Sequence, residues 1–286
     1  MIIQDNYGKF LSLYKSVTTS AYLLVTHGSR APRPQIAAKR LACIVKQQLS
    51  LRLISISLPF STKNGTVETS VGRSTALLQS VFSPLIETAP LELTSVPLSH
   101  RIQQLGEKAK IQGIQNLKII PLFLLPGVHV REDIPKEMAI AQQHLGKTMH
   151  LELMPYLGSH RRLIFFLSRQ FEETATVGKI LIAHGSRYEG GNQPTEAIAY
   201  HLQAIPAYWS VSPSLTSQVK LLIEQGKKNI TIVPYFLFAG RITTAIAQQV
   251  KQLQTLPQIK LKMGSPLGAT SELARLIVEI IQENIG

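Results

Sequence analysis

The sequence has little cysteine, no long hydrophobic run and no apolar signal segment. One cysteine, Cys43, excludes an internal disulfide, a multi-cysteine zinc site and an iron–sulfur cluster held by one chain, and we expect it to lie in the core. No stretch approaches the ~18 apolar residues of a membrane-spanning helix. The first twenty residues lack the apolar centre of a signal peptide. These absences predict a cytoplasmic protein with no membrane partner.

Acidic residues are also scarce relative to basic ones. The 286 residues include 17 Asp and Glu but 30 Lys and Arg, which gives a formal net charge of +13. This excess indicates either a polyanionic partner or a generally basic surface without a specific ligand. The basic residues are scattered, and zinc-finger, RNA-recognition and basic-arm signatures are missing, so we predict no nucleic-acid partner. A small substrate with many carboxylates fits the dispersed charge.

What the sequence does contain is an internal repeat. Three apolar landmarks occur in the same order in the two halves. The landmarks and their copies are residues 22–30 and 180–187, 119–127 and 232–240, and 155–158 and 266–268. Chance does not produce three ordered matches of this length, so both halves are expected to share one fold.

The landmarks alternate with sequences typical of helices. The predicted helices are at residues 35–49, 134–144, 195–204 and 243–253. Apolar strands that alternate with helices predict an α/β protein with two tandem similar domains, each a mostly parallel sheet flanked by helices. Residues 172–178 break the apolar pattern, so the predicted domains are 1–174 and 175–286.

The halves differ in length at one place. Glu92 follows His27 by 65 positions, whereas Tyr208, which we align with Glu92, follows His184 by 24. The first half therefore carries about 41 additional residues, which we place as an insertion at about 48–88. Near the start of this insertion, residues 51–60 are predicted to form a strand. Two roles of this insertion fit the sequence equally well: it alters the rim of the substrate site, or it is an addition without a function.

Two histidines follow predicted strands. Ligands bind at the carboxyl ends of strands in an open parallel sheet, so His27 and His129 can face one crevice although 102 positions separate them. Glu92 ends a third strand, although it also fits an exposed position of an alternating strand. Two imidazoles and a carboxylate can form a transient site for Fe²⁺, Co²⁺ or Ni²⁺. Arg30 and Arg131 can pair substrate carboxylates or make ordinary surface salt bridges.

At these residues the sequence resembles the class II chelatases, the SirB and CbiX group of sirohydrochlorin ferrochelatases and cobaltochelatases. The motifs are His-Gly-Ser-Arg at 27–30, Leu-Glu-Leu at 91–93, Pro-Leu-Phe-Leu at 121–124, Gly-Val-His-Val at 127–130 and Asp-Ile-Pro at 133–135. The resemblance spans almost the whole chain as a fused two-domain form. It implies that His27 and His129 bind the incoming metal and assist proton removal, with Glu92 as their carboxylate partner.

The second half departs from this pattern. His184 persists, but Ile242 stands where we align His129. An isoleucine cannot bind a metal or transfer a proton. The second half is therefore interpreted as a degenerate copy that forms one side of the substrate cleft and supplies positive charge. The role of His184 stays open. The residues predicted to bind substrate are Ser29, Arg30, Arg131, Arg187 and Arg241.

The resemblance implies insertion of Fe²⁺ into sirohydrochlorin, an acidic tetrapyrrole, to give sirohaem with release of two protons. Insertion of Co²⁺ for cobalamin, or of Ni²⁺, is the alternative within the enzyme class, and a non-catalytic tetrapyrrole or metal carrier is the rival from another class. The Gly-x-x-x-x-Gly-Lys-Ser/Thr loop is missing, so we predict no nucleotide and no cofactor beyond the metal substrate. Internal pseudo-symmetry favours a monomer.

Overall fold

The computed structural model describes residues 20–57, 83–172, 178–255 and 259–283. In the first half the elements are β1 (Ser20–Thr26), α1 (Pro32–Ser57), β2 (Leu85–Pro90), α2 (Leu98–Ile111), β3 (Asn116–Pro121), a π-helical turn (His129–Asp133), α3 (Ile134–Leu145), β4 (His150–Leu153) and α4 (Leu163–Glu172), with 3₁₀ turns at Gly146–Thr148 and Leu157–Ser159. In the second half they are β5 (Gly178–Ala183), α5 (Gln193–His201), β6 (Ile205–Tyr208), α6 (Leu215–Glu224), β7 (Asn229–Pro234), α7 (Arg241–Leu253), β8 (Lys260–Met263) and α8 (Ser271–Glu283).

The strands form two four-stranded parallel sheets with the same internal order. The orders are β2-β1-β3-β4 and β6-β5-β7-β8. This confirms the predicted α/β class of two similar sheets flanked by helices, while the boundary between residues 174 and 175 stays a prediction. In the first sheet Thr26 lies opposite Pro90, and Val25 lies opposite Pro121. The loops that follow β1, β2 and β3 therefore leave the sheet side by side.

Successive residues of each central strand enter different hydrophobic cores, as the two-residue period of a strand requires. In β1, Leu23 packs into a core belonging to the first half, whereas Leu24 faces a core shared by both halves. In β5, Ile182 and Leu181 divide in the same way. Because one face of each sheet lines the shared core, the two halves bury apolar surface against each other.

The last helix of each half packs on the other half. Helix α4 lies against β7 of the second sheet, and α8 runs along α1 of the first half. Arg162, just before α4, pairs with Glu279 of α8, and Arg169 of α4 pairs with Glu272 of α8. The shared core is closed by this exchange of helices.

Helix α1 carries the contact with α8 and is longer than predicted. Its buried residues Leu41, Val45 and Leu49 recur every four positions, which forms one apolar stripe. The helix continues to Ser57, so the prediction of a strand from residue 51 is wrong over 51–57, and residues 58–60 lie outside the described ranges. Arg52, at the start of this stretch, contacts Gln282 of α8, a tertiary partner that local strand preference does not take into account.

One further expectation concerns the same helix. Cys43 is exposed on α1, so the expectation of a core cysteine is wrong; it stands two positions from buried Leu41, which places it off the apolar stripe. Much of the predicted insertion, residues 58–82, lies outside the described ranges. Among the described helices, none is long and apolar enough to cross a membrane.

Candidate metal centre

The loops after β1 and β2 are held together by backbone contacts. Leu91 N–H donates to Thr26 O at 2.8 Å, and Glu92 N–H donates to His27 O at 2.9 Å, so strand pairing continues beyond both strands. Gly28, with φ of +108°, allows this approach: a Cβ there would lie 2.0 Å from Glu92 O. The sequence His-Gly therefore places an imidazole directly beside the backbone of Glu92.

The third group comes from the loop after β3. His129 begins a π-helical turn, in which Ile134 N–H donates to His129 O before α3 continues. Single π turns inside helices occur often at functional sites. The turn brings Asp133 beside the imidazole, with His129 Nδ1 2.7 Å from Asp133 Oδ2. Asp133, which opens the Asp-Ile-Pro motif, was expected near His129 from the sequence but was not predicted to contact its ring.

His27, Glu92 and His129 converge on one point. His27 Nε2 lies 3.8 Å from Glu92 Oε2, and His129 Nδ1 lies 3.8 Å from Glu92 Oε1. The two imidazole rings meet edge to face, with centroids 4.8 Å apart. One nitrogen or oxygen from each of the three side chains lies within 4.8 Å of the others, and among the described residues this is the one group of three or more His, Cys, Asp or Glu side chains that could hold a metal ion.

The ring of Phe123 lies behind the two imidazoles. Its centroid is 6.4 Å from that of His27 and 5.8 Å from that of His129. Phe123 comes two residues after β3 and is half-buried, so it gives the polar side chains an apolar support. Sequence reasoning missed this role, because a phenylalanine that follows an apolar strand looks like an ordinary core residue.

The site is accessible from solvent. The side chains of His27, Glu92 and His129 are 54%, 46% and 29% exposed. Two imidazoles and one carboxylate suit Fe²⁺, Co²⁺ and other divalent transition metals. Three protein ligands at an open surface leave coordination positions free, which a site that receives and releases a metal requires.

Most of the chain matches the family model named CbiX, once over residues 62–174 and again over residues 178–284. The chain belongs to the CbiX family. Glu92 and His129 lie inside the first match, and His27 precedes it. The family assignment confirms the resemblance inferred from the sequence motifs.

Curated relatives of this CbiX-family chain are chelatases. A sirohydrochlorin ferrochelatase of Priestia megaterium is 27% identical over 208 residues, which cover 68% of this chain and 76% of that protein. A sirohydrochlorin cobaltochelatase of the same organism is 24% identical over 220 residues, which cover 71% of this chain and 70% of that protein. The two relatives differ in the metal that their names imply.

Solved structures share the fold of the CbiX-family chain. SirB from Bacillus subtilis with Fe³⁺ has a TM-score of 0.66 at 20% identity, covering 93% of this chain and 95% of that chain. SirB from Bacillus subtilis subspecies spizizenii in complex with cobalt has a TM-score of 0.62 at 19% identity, covering 93% of this chain and 94% of that chain. At these identities the likeness shows the fold of the two tandem halves.

The residues predicted to bind substrate lie in the loops after the strands, or at the start of the next helix, in both halves of this CbiX-family chain. Arg30 and Arg131 lie within three residues of His27 and His129 and are exposed, while Ser29 is half-buried and its Oγ accepts Ala31 N–H at 3.0 Å. In the second half Arg187 follows β5, and Arg241 begins α7; both are exposed. The position of a Cβ at Gly240 lies 3.9 Å from Pro34 Cγ of α1, so the start of α7 comes close to the first half.

Two tyrosines line the contact between the halves near the centre. Tyr235 Oη, just after β7, donates to Leu124 O of the loop after β3 at 2.9 Å. Burial raises the pKa of this phenol far above its usual range, with the nearby Tyr156 adding to the effect. Burial also raises the pKa of Tyr156, and the positive charge of Arg131 partly opposes that shift. Both phenols therefore stay neutral at physiological pH, and Tyr235 serves as a hydrogen-bond donor between the halves.

The second half keeps the strand ends but loses the donor set. Ser210 N–H donates to His184 O at 2.9 Å, as Glu92 N–H does to His27 O. Ser210, and not Tyr208, is therefore the counterpart of Glu92; the sequence alignment was wrong by two positions because it did not include the strand register. The insertion then adds 39 residues rather than 41. Strand register also aligns Ile242, which is partly buried against the core, with His129.

Proposed function

We propose that this protein is a sirohydrochlorin ferrochelatase, which inserts Fe²⁺ into sirohydrochlorin to form sirohaem and releases two protons. The observation that carries the proposal is the convergence of His27, Glu92 and His129 at the open end of the first sheet. Membership of the CbiX family and the chelatase relatives support it. The proposal includes the division of the chain into residues 1–174 with the reaction site and residues 175–286 as a degenerate copy.

The three side chains have complementary tasks in this reaction. Chelation requires a metal that is bound loosely enough to be transferred and a base close to the macrocycle. Imidazole serves both as a ligand and as a base near neutral pH, so His27 and His129 bind Fe²⁺ and accept the two pyrrole protons as metal–nitrogen bonds form. Glu92, 3.8 Å from both imidazoles, balances part of the metal charge and the charge of a protonated imidazole.

The basic groups around the crevices bind the substrate. Sirohydrochlorin carries many carboxylates, and Arg pairs carboxylates with two parallel hydrogen bonds. We assign this task to the half-buried Ser29 and to four exposed arginines of the two halves, Arg30, Arg131, Arg187 and Arg241. The net charge of +13 attracts the acidic tetrapyrrole at longer range. We propose that one chain acts as a monomer without a nucleotide or an iron–sulfur cluster.

Cobalt is the second candidate metal. One curated relative is a cobaltochelatase, and one solved neighbour is a complex with cobalt. The same histidine and carboxylate donors bind Co²⁺ and Ni²⁺, and affinity follows the metal more than the site. The choice of Fe²⁺ therefore depends on relative rates and on availability.

An anaerobic absorbance time course tests the proposal. Purified protein is mixed with sirohydrochlorin and either Fe²⁺, Co²⁺ or Ni²⁺, and conversion is compared with protein-free mixtures. We expect metal-dependent acceleration that falls at least ~100-fold in His27→Ala and in His129→Ala, because each loses a ligand and a base. Ser83→Ala, an exposed change outside both crevices, is the control that keeps full activity.

Each other result has a defined meaning. Faster conversion with Co²⁺ than with Fe²⁺ replaces the ferrochelatase with a cobaltochelatase. Tight binding of sirohydrochlorin without acceleration by any metal overturns the enzymatic proposal and supports a tetrapyrrole carrier. If both histidine variants still accelerate the conversion, the reaction takes place at another site.

A further inference from the structure

His129 has two carboxylates near the same ring nitrogen, at different distances. Its Nδ1 lies 2.7 Å from Asp133 Oδ2 and 3.8 Å from Glu92 Oε1. Only the shorter distance is that of a hydrogen bond, and 2.7 Å is typical of a charge-assisted one. The hydrogen-bond partner of Nδ1 is therefore Asp133 and not Glu92.

The backbone fixes this pair. Both residues belong to the π-helical turn His129–Asp133, which leads directly into α3. Ile134, the next residue, is fully buried in the core of the first half, so the end of the turn is anchored. The side chain of Asp133 is 39% exposed and that of His129 is 29% exposed, so both lie at the rim of the crevice.

A carboxylate oxygen accepts hydrogen bonds, so a hydrogen bond from the ring to Asp133 Oδ2 requires the proton on Nδ1 of the imidazole. The other nitrogen, Nε2, then keeps its lone pair. Carboxylates that accept from the second nitrogen of a metal-binding histidine fix its tautomer and orientation and make it a better ligand. Asp133 lies outside the group of three side chains whose donor atoms converge.

We infer that Asp133 is a positioning residue, which holds His129 in the Nδ1–H tautomer and leaves Nε2 as the atom that binds the metal. The inference rests on the proposed function of His129 as a metal ligand. It adds a fourth side chain to the centre, one that acts through His129 and not on the metal itself.

The second half supports treating these side chains as one unit. The strand register that aligns His129 with Ile242 leads in that half into residues 241–246, which contain no carboxylate. There the helix begins as an ordinary α-helix at Arg241, with Gly240 as its N-cap. Where the imidazole is replaced, the carboxylate and the π-helical turn are replaced with it.

The test uses purified full-length protein and Co²⁺ alone. Nitrogen-15 spectra of histidine-labelled protein at alkaline pH report the tautomer of each imidazole, and His129→Ala assigns the signal of His129. We expect the Nδ1–H form in the parent protein and a shift toward the Nε2–H form in Asp133→Ala. Co²⁺ affinity, measured by titration of its visible absorption, is expected to fall between ~10-fold and ~100-fold in the same variant.

Two variants sharpen the measurement. Asp133→Asn retains an oxygen that can accept the Nδ1–H, so it should keep the tautomer and lose less Co²⁺ affinity than Asp133→Ala. Glu132→Ala removes the same charge from the exposed neighbouring residue and should change neither quantity. Circular dichroism and thermal unfolding verify that each variant is folded.

The outcomes separate the inference from the proposed function. An unchanged tautomer in folded Asp133→Ala overturns the inference, and so does unchanged Co²⁺ affinity. A lower affinity with an unchanged tautomer overturns it in favour of Asp133 as a direct ligand. Because neither measurement involves sirohydrochlorin, a parent protein that binds Co²⁺ but fails to convert the tetrapyrrole overturns the proposed function alone.

Discussion

The two crevices of this molecule have the same strand framework and different side chains. In each half, the residue after the first strand is a histidine, and its carbonyl accepts an N–H from the loop after the neighbouring strand. In the first half that loop supplies Glu92, and in the second it supplies Ser210, whose hydroxyl donates to His184 O at 2.8 Å. Backbone geometry alone therefore does not make a metal centre.

The two halves share one turn and differ in another. The glycine after each histidine has positive φ, +108° at Gly28 and +85° at Gly185, so both crevices need the same turn. The π-helical turn is found only at the crevice with the three donor side chains, among the residues that the structure describes. The glycine turn after the first strand is common to both halves, whereas the π-helical turn and the three donor side chains belong to the first half.

The largest expected effect is on metal binding. The double variant His27→Ala/His129→Ala should lose Co²⁺ binding by at least ~100-fold, because two of the three donors are gone. The matched double variant His184→Ala/Ser210→Ala should bind within about twofold of the parent. Titration followed by Co²⁺ absorption measures both; equal losses in the two variants would contradict the functional difference between the crevices.

The next effect is on stability and compares the two glycines. A Cβ at Gly28 would lie 2.0 Å from the backbone oxygen of Glu92, whereas at Gly185 it would lie 2.7 Å and 2.9 Å from side-chain atoms of Val211 and Tyr208. Gly28→Ala should therefore lower the free energy of unfolding by about 3 kcal/mol and Gly185→Ala by about 2 kcal/mol, since Val211 Cγ2 can rotate away while the contact with Tyr208 Cβ is longer than that with Glu92 O. Urea unfolding measures both values, and the reverse order would contradict the comparison.

A smaller effect is expected at the contact between the halves. Tyr235→Phe removes the hydrogen bond to Leu124 O and should cost about 1–2 kcal/mol of unfolding free energy, because it leaves an inter-half carbonyl without this donor. Tyr188→Phe, an exposed change in the second half, is the control with no effect. Unchanged stability in Tyr235→Phe would mean that water replaces the phenol.

The smallest effect is expected on the surface. Arg169→Ala removes the ion pair between α4 and Glu272 of α8, both of which are largely exposed. Such pairs contribute between about 0 and 1 kcal/mol and are screened by salt. Thermal unfolding at low and high salt should show a difference from the parent that shrinks as salt rises, and a difference that grows with salt would exclude the ion pair as its cause.

Much of the fold could be predicted because it depends on local pattern. The repeated apolar strands and the helices between them predicted two parallel sheets, and the chain order of His27, Glu92 and His129 predicted one crevice. Side-chain partners were less accessible. Asp133 meets His129 through a π-helical turn, and periodicity alone does not distinguish such a turn from the start of an ordinary helix.

Other features depended on contacts between distant parts of the chain. Tyr208 was aligned with Glu92 by spacing, but the counterpart follows from hydrogen bonds between neighbouring strands, which the spacing of residues along one strand does not contain. Helix α1 packs against α8, more than 200 positions later. Propensity describes residues 51–57 in isolation and takes no account of such a partner, and these residues are helical in the structure.

The exchange of terminal helices has a consequence for protein synthesis. A ribosome releases the first half long before α8, the last described helix, has been made. Until then α1 lacks the apolar partner that covers it, so the nascent chain exposes part of what becomes the shared core. We therefore expect the shared core to reach its final form only after α8 has left the ribosome, and chains stalled before residue 271 to depend on chaperones.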